Sequence, residues 1–184
     1  MRVHYPLSGM IDRAGNLWVN FVSNMCRYDG ARWSSWHLGP GPIRAHIEDA
    51  KNRLWAGTDE GIYSFDGSSW GKRFPYPCYA ILSAGGDTLW AGSDEEVLRF
   101  DGATWERWRV AEERSGKRVL SLLRDSRGHI WAGTGEGVSR FDGVAWTHWK
   151  AAEGMAQEIK YLVEDSRGNI WAAAQTSAYQ PRDN

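Results

Sequence analysis

The chain has 184 residues, which bounds it to one domain or two and suffices to bury a sizeable core. Its 22 Lys+Arg against 23 Asp+Glu leave a formal charge of -1, which argues against nucleic-acid binding, and 42% hydrophobic with 13% aromatic residues exclude a disordered acidic chain. No apolar run approaches the roughly 18 residues of a membrane span, and residues 1–10 lack the apolar stretch of a secretory signal.

The unusual quantity is tryptophan, with 12 in the chain beside 21 glycines. Five of them, Trp18, Trp55, Trp90, Trp131 and Trp171, recur at spacings of 37, 35, 41 and 40. Ten residues after each of the first four comes an aromatic-Asp-Gly triplet, at Tyr28, Phe65, Phe100 and Phe141. Five residues further stands a second tryptophan, Trp33, Trp70, Trp105 or Trp146. Self-similarity at such a period marks a repeat architecture.

Along the chain, residues 1–5 read as an orphan last strand. Repeats follow over about 6–38, 43–74, 78–109 and 119–150, with a partial fifth over 159–184. Each repeat predicts four short antiparallel strands, A to D. Strand A is the apolar run ahead of the first tryptophan, Val119–Arg124 in the fourth repeat. A turn follows whose third position before the tryptophan is Gly15, Asn52, Asp87, Gly128 or Gly168, residues that tolerate a left-handed backbone. Asp12, Asp49, Asp125 and Asp165 are placed to cap that turn through Asx bonds. Strand B carries the tryptophan (Ile130–Thr134), and strand C ends on the aromatic (138–141). Asp-Gly then predicts a type I′ hairpin turn into strand D (145–149). Residues 151–165 have helix-forming composition, but the repeat assigns Ile159–Glu164 to strand A and overrides local propensity. The fifth repeat supplies strands A and B, and a strand C at 178–181.

Four-stranded units that cannot bury both faces alone predict an all-β fold. The expected form is a β-propeller of about five four-stranded antiparallel blades, one domain over residues 1–184. Tryptophans beside small Ala and Gly would fill the space between blades. Either the N-terminal strand joins the last blade and closes a five-bladed ring, or the chain is a piece of a larger propeller.

The motifs Asp-Ser-Arg-Gly-Asn-Ile-Trp-Ala (165–172), Gly-Thr-Gly-Glu-Gly-Val-Ser-Arg-Phe-Asp-Gly (133–143) and Trp-Thr-His-Trp (146–149) resemble the two-component regulator propeller repeat. The resemblance covers about residues 6–175. It implies a sensor domain of the kind found in bacterial hybrid histidine kinases, where such blades usually form seven-bladed rings outside the membrane. It brings no catalytic residues, because the family motifs are structural.

In a four-stranded meander the regular A–B and C–D turns share one face. The variable loops, 37–42, 73–77, 109–117 and 150–158, fall on the other, which is where repeat proteins usually bind. Twelve residues before each tryptophan stand Pro6, Ile43, Cys78, Val119 and Ile159, expected in the core. One residue later the column is mixed: Leu7, Arg44, Tyr79, Leu120 and Lys160. Strand alternation points this column towards a central channel. Arg44, Tyr79 and Lys160 are therefore candidate ligand-binding residues, with Tyr76 and His37 contributing from the loops. Cationic and aromatic groups together suit a sugar, an anionic small molecule or a protein partner.

Other chemistry is weakly supported. The acids of the B–C loops (Asp59, Glu60, Asp94, Glu95, Glu96, Glu136) read as solvated turn residues, without a calcium-loop spacing. The five histidines show no metal-ligand spacing, and His129 reads as a turn residue. Cys26 and Cys78 are expected as free thiols. No catalytic set, cofactor or metal is expected. The leading reading is a non-enzymatic binding or sensor module; a propeller enzyme such as a lyase or glycan-active enzyme, or a gene fragment without independent activity, are the alternatives.

Overall fold

A computed structural model describes residues 8–94, 96–110, 118–150 and 158–174, and all regular structure in them is strand. The first blade comprises β1 (Ser8–Ile11), β2 (Leu17–Phe21), β3 (Asn24–Tyr28) and β4 (Trp33–His37). The second comprises β5 (Ile43–Glu48), β6 (Leu54–Thr58), β7 (Gly61–Phe65) and β8 (Trp70–Phe74). The third comprises β9 (Ala80–Ser83), β10 (Leu89–Gly92), β11 (Glu96–Phe100) and β12 (Trp105–Arg109). The fourth comprises β13 (Val119–Arg124), β14 (Ile130–Thr134), β15 (Gly137–Phe141) and β16 (Trp146–Lys150). The fifth sheet pairs β17 (Ile159–Glu164) with β18 (Ile170–Ala174). Each full blade is a four-stranded antiparallel meander, so the fold is the expected propeller. β17 falls on the residues whose helical composition the repeat overrode. The orphan strand at 1–5 and the strand at 178–181 lie outside the described residues.

The cores lie between blades. Trp18, Met25 and Leu38 of the first blade pack with Ile43, Leu54 and Phe65 of the second. Trp55 and Ile62 pack with Cys78, Leu89 and Leu98, and Trp90 and Val97 with Val119, Ile130 and Ala132. Trp18, Trp55 and Trp90 are 2%, 3% and 4% exposed. Each sits against an aromatic of the next blade: Trp18 is 5.2 Å from Phe65, Trp55 is 5.7 Å from Phe100, and Trp90 is 5.6 Å from Phe141.

Two sequence columns control this spacing. At the second position after the tryptophan stand Gly57, Gly92 and Gly133. A Cβ on Gly57 would lie 2.5 Å from Cys78 Sγ, one on Gly92 2.6 Å from the Val119 carbonyl oxygen, and one on Gly133 2.7 Å from that of Ile159. The glycines let the first residue of the next blade's strand A approach the backbone. Asn20 takes this position in the first blade, is buried, and donates through Nδ2 to the Ile43 carbonyl (3.2 Å).

The second column is the turn aspartate. Trp18 Nε1 donates to Asp12 (2.8 Å), Trp55 to Asp49 (2.9 Å), Trp131 to Asp125 (2.8 Å) and Trp171 to Asp165 (3.0 Å). The same carboxylates accept turn N–H groups, such as Asn16 N at 2.8 Å and Arg53 N at 2.9 Å. One residue thus closes the A–B turn and fixes the indole. The third blade has Ala84 here, and its turn differs. Gly85 and Gly86 take positive φ, whereas Asp87 does not, contrary to the expectation for that position. Asp87 instead bridges to the second blade, accepting from Arg53 (2.9 Å) and Lys51 (2.5 Å).

The Asp-Gly hairpins also differ from expectation. Only the glycine has positive φ (Gly67, 100°), whereas a type I′ turn needs it at both central residues. The loop is four residues, 66–69, and Asp66 Oδ1 accepts from the backbone N–H of Ser68 and Ser69 (both 2.8 Å). The carboxylate replaces the backbone carbonyl that would close a tighter turn.

Candidate functional site

The column proposed to line the mouth has a structural peculiarity. Pairing of β5 with β6 passes from Ile43 to Ala45, leaving Arg44 out of register. Leu120 is skipped in β13 and Lys160 in β17. These are β-bulges, which re-aim a side chain at the rim of a sheet and often sit beside binding sites. The column therefore leaves the apolar row by a bulge rather than by simple alternation. Tyr79, its member in the third blade, precedes β9 and donates its N–H to the Gly92 carbonyl (2.8 Å).

The bulge column meets the B–C loops. Arg44 donates from Nε and Nη2 to the two carboxylate oxygens of Asp59, at 2.8 and 2.9 Å. Tyr79 donates its hydroxyl to Asp94 (3.0 Å). Arg118, which starts the fourth blade, lies 4.7 Å over the Tyr79 ring and 3.7 Å from Asp94. Hydrogen bonds from Arg44 hold the Asp59 carboxyl below the ordinary carboxylate range, and Asp59 in turn raises Arg44. Burial, followed by the bond to Asp94, pushes the Tyr79 phenol up to about 12. Contacts thus form two clusters, Arg44–Asp59 in the second blade and Tyr79–Asp94–Arg118 between the third and fourth.

Arg44 and Tyr79 each engage an acid of a B–C loop, Asp59 and Asp94 respectively. Lys160 occupies the same column, with Glu158 3.4 Å away. Tyr76 and His37 make their contacts elsewhere. Tyr76 packs 5.1 Å from Phe74 under the Arg107 guanidinium, and His37 pairs with Asn24 across its own blade at 3.1 Å. Sequence reasoning took Asp59 and Asp94 for solvated turn acids, yet Asp59 accepts from Arg44 and Asp94 from Tyr79, and it did not single out Arg118. A signal was available within the chain. Four residues after the strand-B tryptophan stand Asp59, Asp94 and Gly135, in the repeats whose strand-A column holds Arg44, Tyr79 and Leu120. Arg44 and Tyr79 bond Asp59 and Asp94 respectively. His129 does serve its turn, bonded to Asp125 through N and Nδ1 (2.8 and 3.0 Å). Cys26 and Cys78 are free thiols.

Chemically, Asp59, Asp94, Arg44, Arg118 and Tyr79 offer two carboxylates, two guanidiniums and one aromatic hydroxyl, with formal charges that cancel. Such a surface both donates to and accepts from hydroxyls and amides. Among the described residues no group of three His, Cys, Asp or Glu is placed to hold a metal ion.

Inter-blade cores and repeated meander blades define a β-propeller repeat chain. A family model described as two component regulator propeller matches residues 113–136. No curated protein matches the sequence. Among solved structures, the chain is similar to the extracellular domain of a hybrid two-component system of B. thetaiotaomicron (TM-score 0.71, 16% identity, covering 89% of this chain and 25% of that one). A second such domain from the same organism gives TM-score 0.69 and 22% identity over 94% of this chain and 27% of that one. Virginiamycin B lyase from Staphylococcus aureus gives 0.70 and 13% over 95% and 71%. These identities carry the fold alone. The chain spans about a quarter of the length of the two extracellular domains.

Proposed function

We propose that the chain is a non-enzymatic, sensory ligand-binding module that takes a polar small molecule or a glycan at the mouth formed by Arg44, Tyr79 and Lys160. The observation that carries this reading is the pair of polar clusters, Arg44–Asp59 and Tyr79–Asp94–Arg118, on that column. The likeness to extracellular domains of two-component systems supports the sensory role and a place outside the cytoplasm. A compact anion would compete with Asp59 and Asp94 for the two arginines. A hydroxyl-rich neutral ligand inserts between donors and acceptors without displacing either, which favours the sugar over the anion. The likeness to virginiamycin B lyase is one of fold, and no side chains are assigned to catalysis here.

Isothermal titration against a panel of mono- and oligosaccharides and small anions tests the reading. The expected result is a hit whose affinity falls at least tenfold in Arg44→Ala and in Tyr79→Phe, and is unchanged in Tyr76→Ala. Exposed ion pairs contribute only about 1 kcal/mol or less, so Arg44→Ala will fold. A hit with the same affinity in Arg44→Ala and Tyr79→Phe, or turnover of the ligand on binding, overturns it.

A further inference from the structure

The joint between the first and second blades departs from the later joints at three matched positions. The first is the strand-A residue paired with the strand-B tryptophan: Met10, Ile47, Leu82 or Leu123. The second is the strand-C residue seven positions after that tryptophan: Met25, Ile62, Val97 or Val138. The third comes from strand A of the following blade, where it pairs with the alanine after the tryptophan: His46, Ile81, Leu122 or Leu162. In the second joint Ile47 and Ile81 pack in the core around Ile62, and in the third Leu82 and Leu122 do so around Val97. Every later joint thus fills the three positions with branched aliphatics. The first joint fills all three with side chains able to ligate a metal, two thioethers and an imidazole.

The three meet in space. Met10, Met25 and His46 line one narrow void between the two blades, walled also by Trp18, Leu54 and Trp70. The void is too narrow for a water molecule, so an ion entering it is dehydrated and held directly by side chains. Thioether chains are flexible enough to close on such an ion without backbone movement. Among the described residues no carboxylate lines the void, so the donor set is neutral and soft. That set suits a monovalent soft cation, whereas hard or divalent ions call for anionic oxygen donors to offset their desolvation.

The imidazole is presented in the ligating form. Ser8 Oγ donates its proton to Asn20 Oδ1 at 2.7 Å, so towards His46 Nδ1, 3.4 Å away, it is left as an acceptor. Asn20 is itself oriented by its donation to the Ile43 carbonyl at 3.2 Å. This chain of bonds places the proton on Nδ1 and the free lone pair on Nε2, as an outer partner does for a metal-bound histidine. Burial lowers the ring below the ordinary 6.5, so at pH 7 no proton competes for that lone pair.

We propose that the joint between the first and second blades is a Cu(I) site, ligated by the Met10 and Met25 thioethers and the His46 imidazole. The aliphatic joints show that packing does not call for these residue types. An ion held from both sides ties the first blade to the second and stabilises the folded chain by mass action. The inference rests on the joint and is independent of the mouth residues.

Anaerobic titration of the full chain with Cu(I), in competition with the chromophoric chelator bicinchoninate, tests this. Wild type is expected to bind one equivalent, with quenching of tryptophan fluorescence. Met10→Leu, Met25→Leu and His46→Leu are each expected to weaken binding at least tenfold. Each installs the kind of side chain that the later joints carry, so their metal-free urea midpoints should not fall. Cys26→Ser, which removes the more accessible thiol, should bind as wild type does, and excess Zn(II) should not displace the ion. X-ray absorption of the loaded wild type, which needs no variant, is expected to show both sulfur and nitrogen neighbours. Absence of binding, unchanged affinity in any of the three joint variants, loss of binding in Cys26→Ser, displacement by Zn(II), or a coordination shell lacking sulfur or nitrogen overturns the proposal.

Discussion

If the turn aspartate is the clip that fixes each inter-blade tryptophan, its removal must hurt in proportion to how deeply that tryptophan is buried. Asp49 is 1% exposed and accepts four hydrogen bonds: from Lys51 N (2.8 Å), Arg53 N (2.9 Å), Arg53 Nε (2.7 Å) and Trp55 Nε1 (2.9 Å). Asp49→Ala strands the buried Trp55 indole N–H, at about 1–3 kcal/mol. It also removes the acceptor of the turn N–H groups, comparable to a lost cap at about 1 kcal/mol. The Arg53 pair adds little, because its guanidinium is partly solvated. Together the substitution costs about 3 kcal/mol. Asp165→Ala removes the same set of bonds from an exposed tryptophan, where water replaces the carboxylate, so its effect is expected to be far smaller. Asp49→Asn should fall between wild type and alanine, because its amide oxygen still accepts from the turn N–H groups while its NH2 faces the indole. Urea denaturation followed by far-UV circular dichroism, with midpoints compared at constant slope, measures all three. Equal shifts for Asp49→Ala and Asp165→Ala, or a wild-type midpoint for Asp49→Asn, would refute the reasoning.

Gly92→Ala is expected to destabilise by about 3 kcal/mol or more, because its Cβ meets backbone of the next blade at 2.6 Å. Gly71→Ala, whose nearest neighbours are the movable Arg73 guanidinium atoms at 3.7 Å, is the matched control and should stay within about 0.5 kcal/mol of wild type in the same urea assay. His46 faces the first blade where the third, fourth and fifth have Ile81, Leu122 and Leu162, and burial depresses its imidazole below the ordinary 6.5. It is neutral when folded, so its contribution is complete above the unfolded value and is lost as pH falls below it. Melting temperatures at pH 7 and pH 5 should therefore differ less in His46→Leu than in wild type, and an identical pH dependence would count against the assignment. Mild acid should not break the aspartate clips in that window. Hydrogen bonds from the indole and the turn outweigh burial and hold Asp49 and Asp125 below the usual 3.8, so their stabilisation is present above that value and fades only below it.

Why so much of the fold was legible follows from what the repeats encode. The strand-B tryptophan, the left-handed turn glycine and the aromatic before Asp-Gly each do one local job in every blade, so their spacing alone recovered β13 and β14 to the residue. The same logic carried β17 against its helical composition. Legibility failed where one side chain does two jobs or where register breaks. Nothing in Asp-x-x-Gly-x-x-Trp announces that the aspartate reaches past its own turn to an indole six residues on. Asp87 was misjudged because Ala84 had already removed the clip and shifted the turn to Gly85 and Gly86. The contacts of Arg44 and Tyr79 were not legible, because a bulge at Arg44 has no sequence mark and Arg118 reaches Tyr79 from the next blade.

The placement of the mouth also follows from the division of labour among columns. Ile43, Cys78, Val119 and Ile159 seal the blades, and Gly57, Gly92 and Gly133 receive them; change in either column pushes blades apart. The adjacent bulge column bears no such constraint. The fourth blade fills it with Leu120 and keeps the same strand pairing as the second blade, which has Arg44 there. The scaffold therefore tolerates a polar or an apolar residue there at equal register. Positions that the fold leaves unspecified in this way are able to change without cost to the propeller. The polar clusters of the second, third and fourth blades use that freedom, and the conserved-looking tryptophans, which dominate the composition, do not enter them.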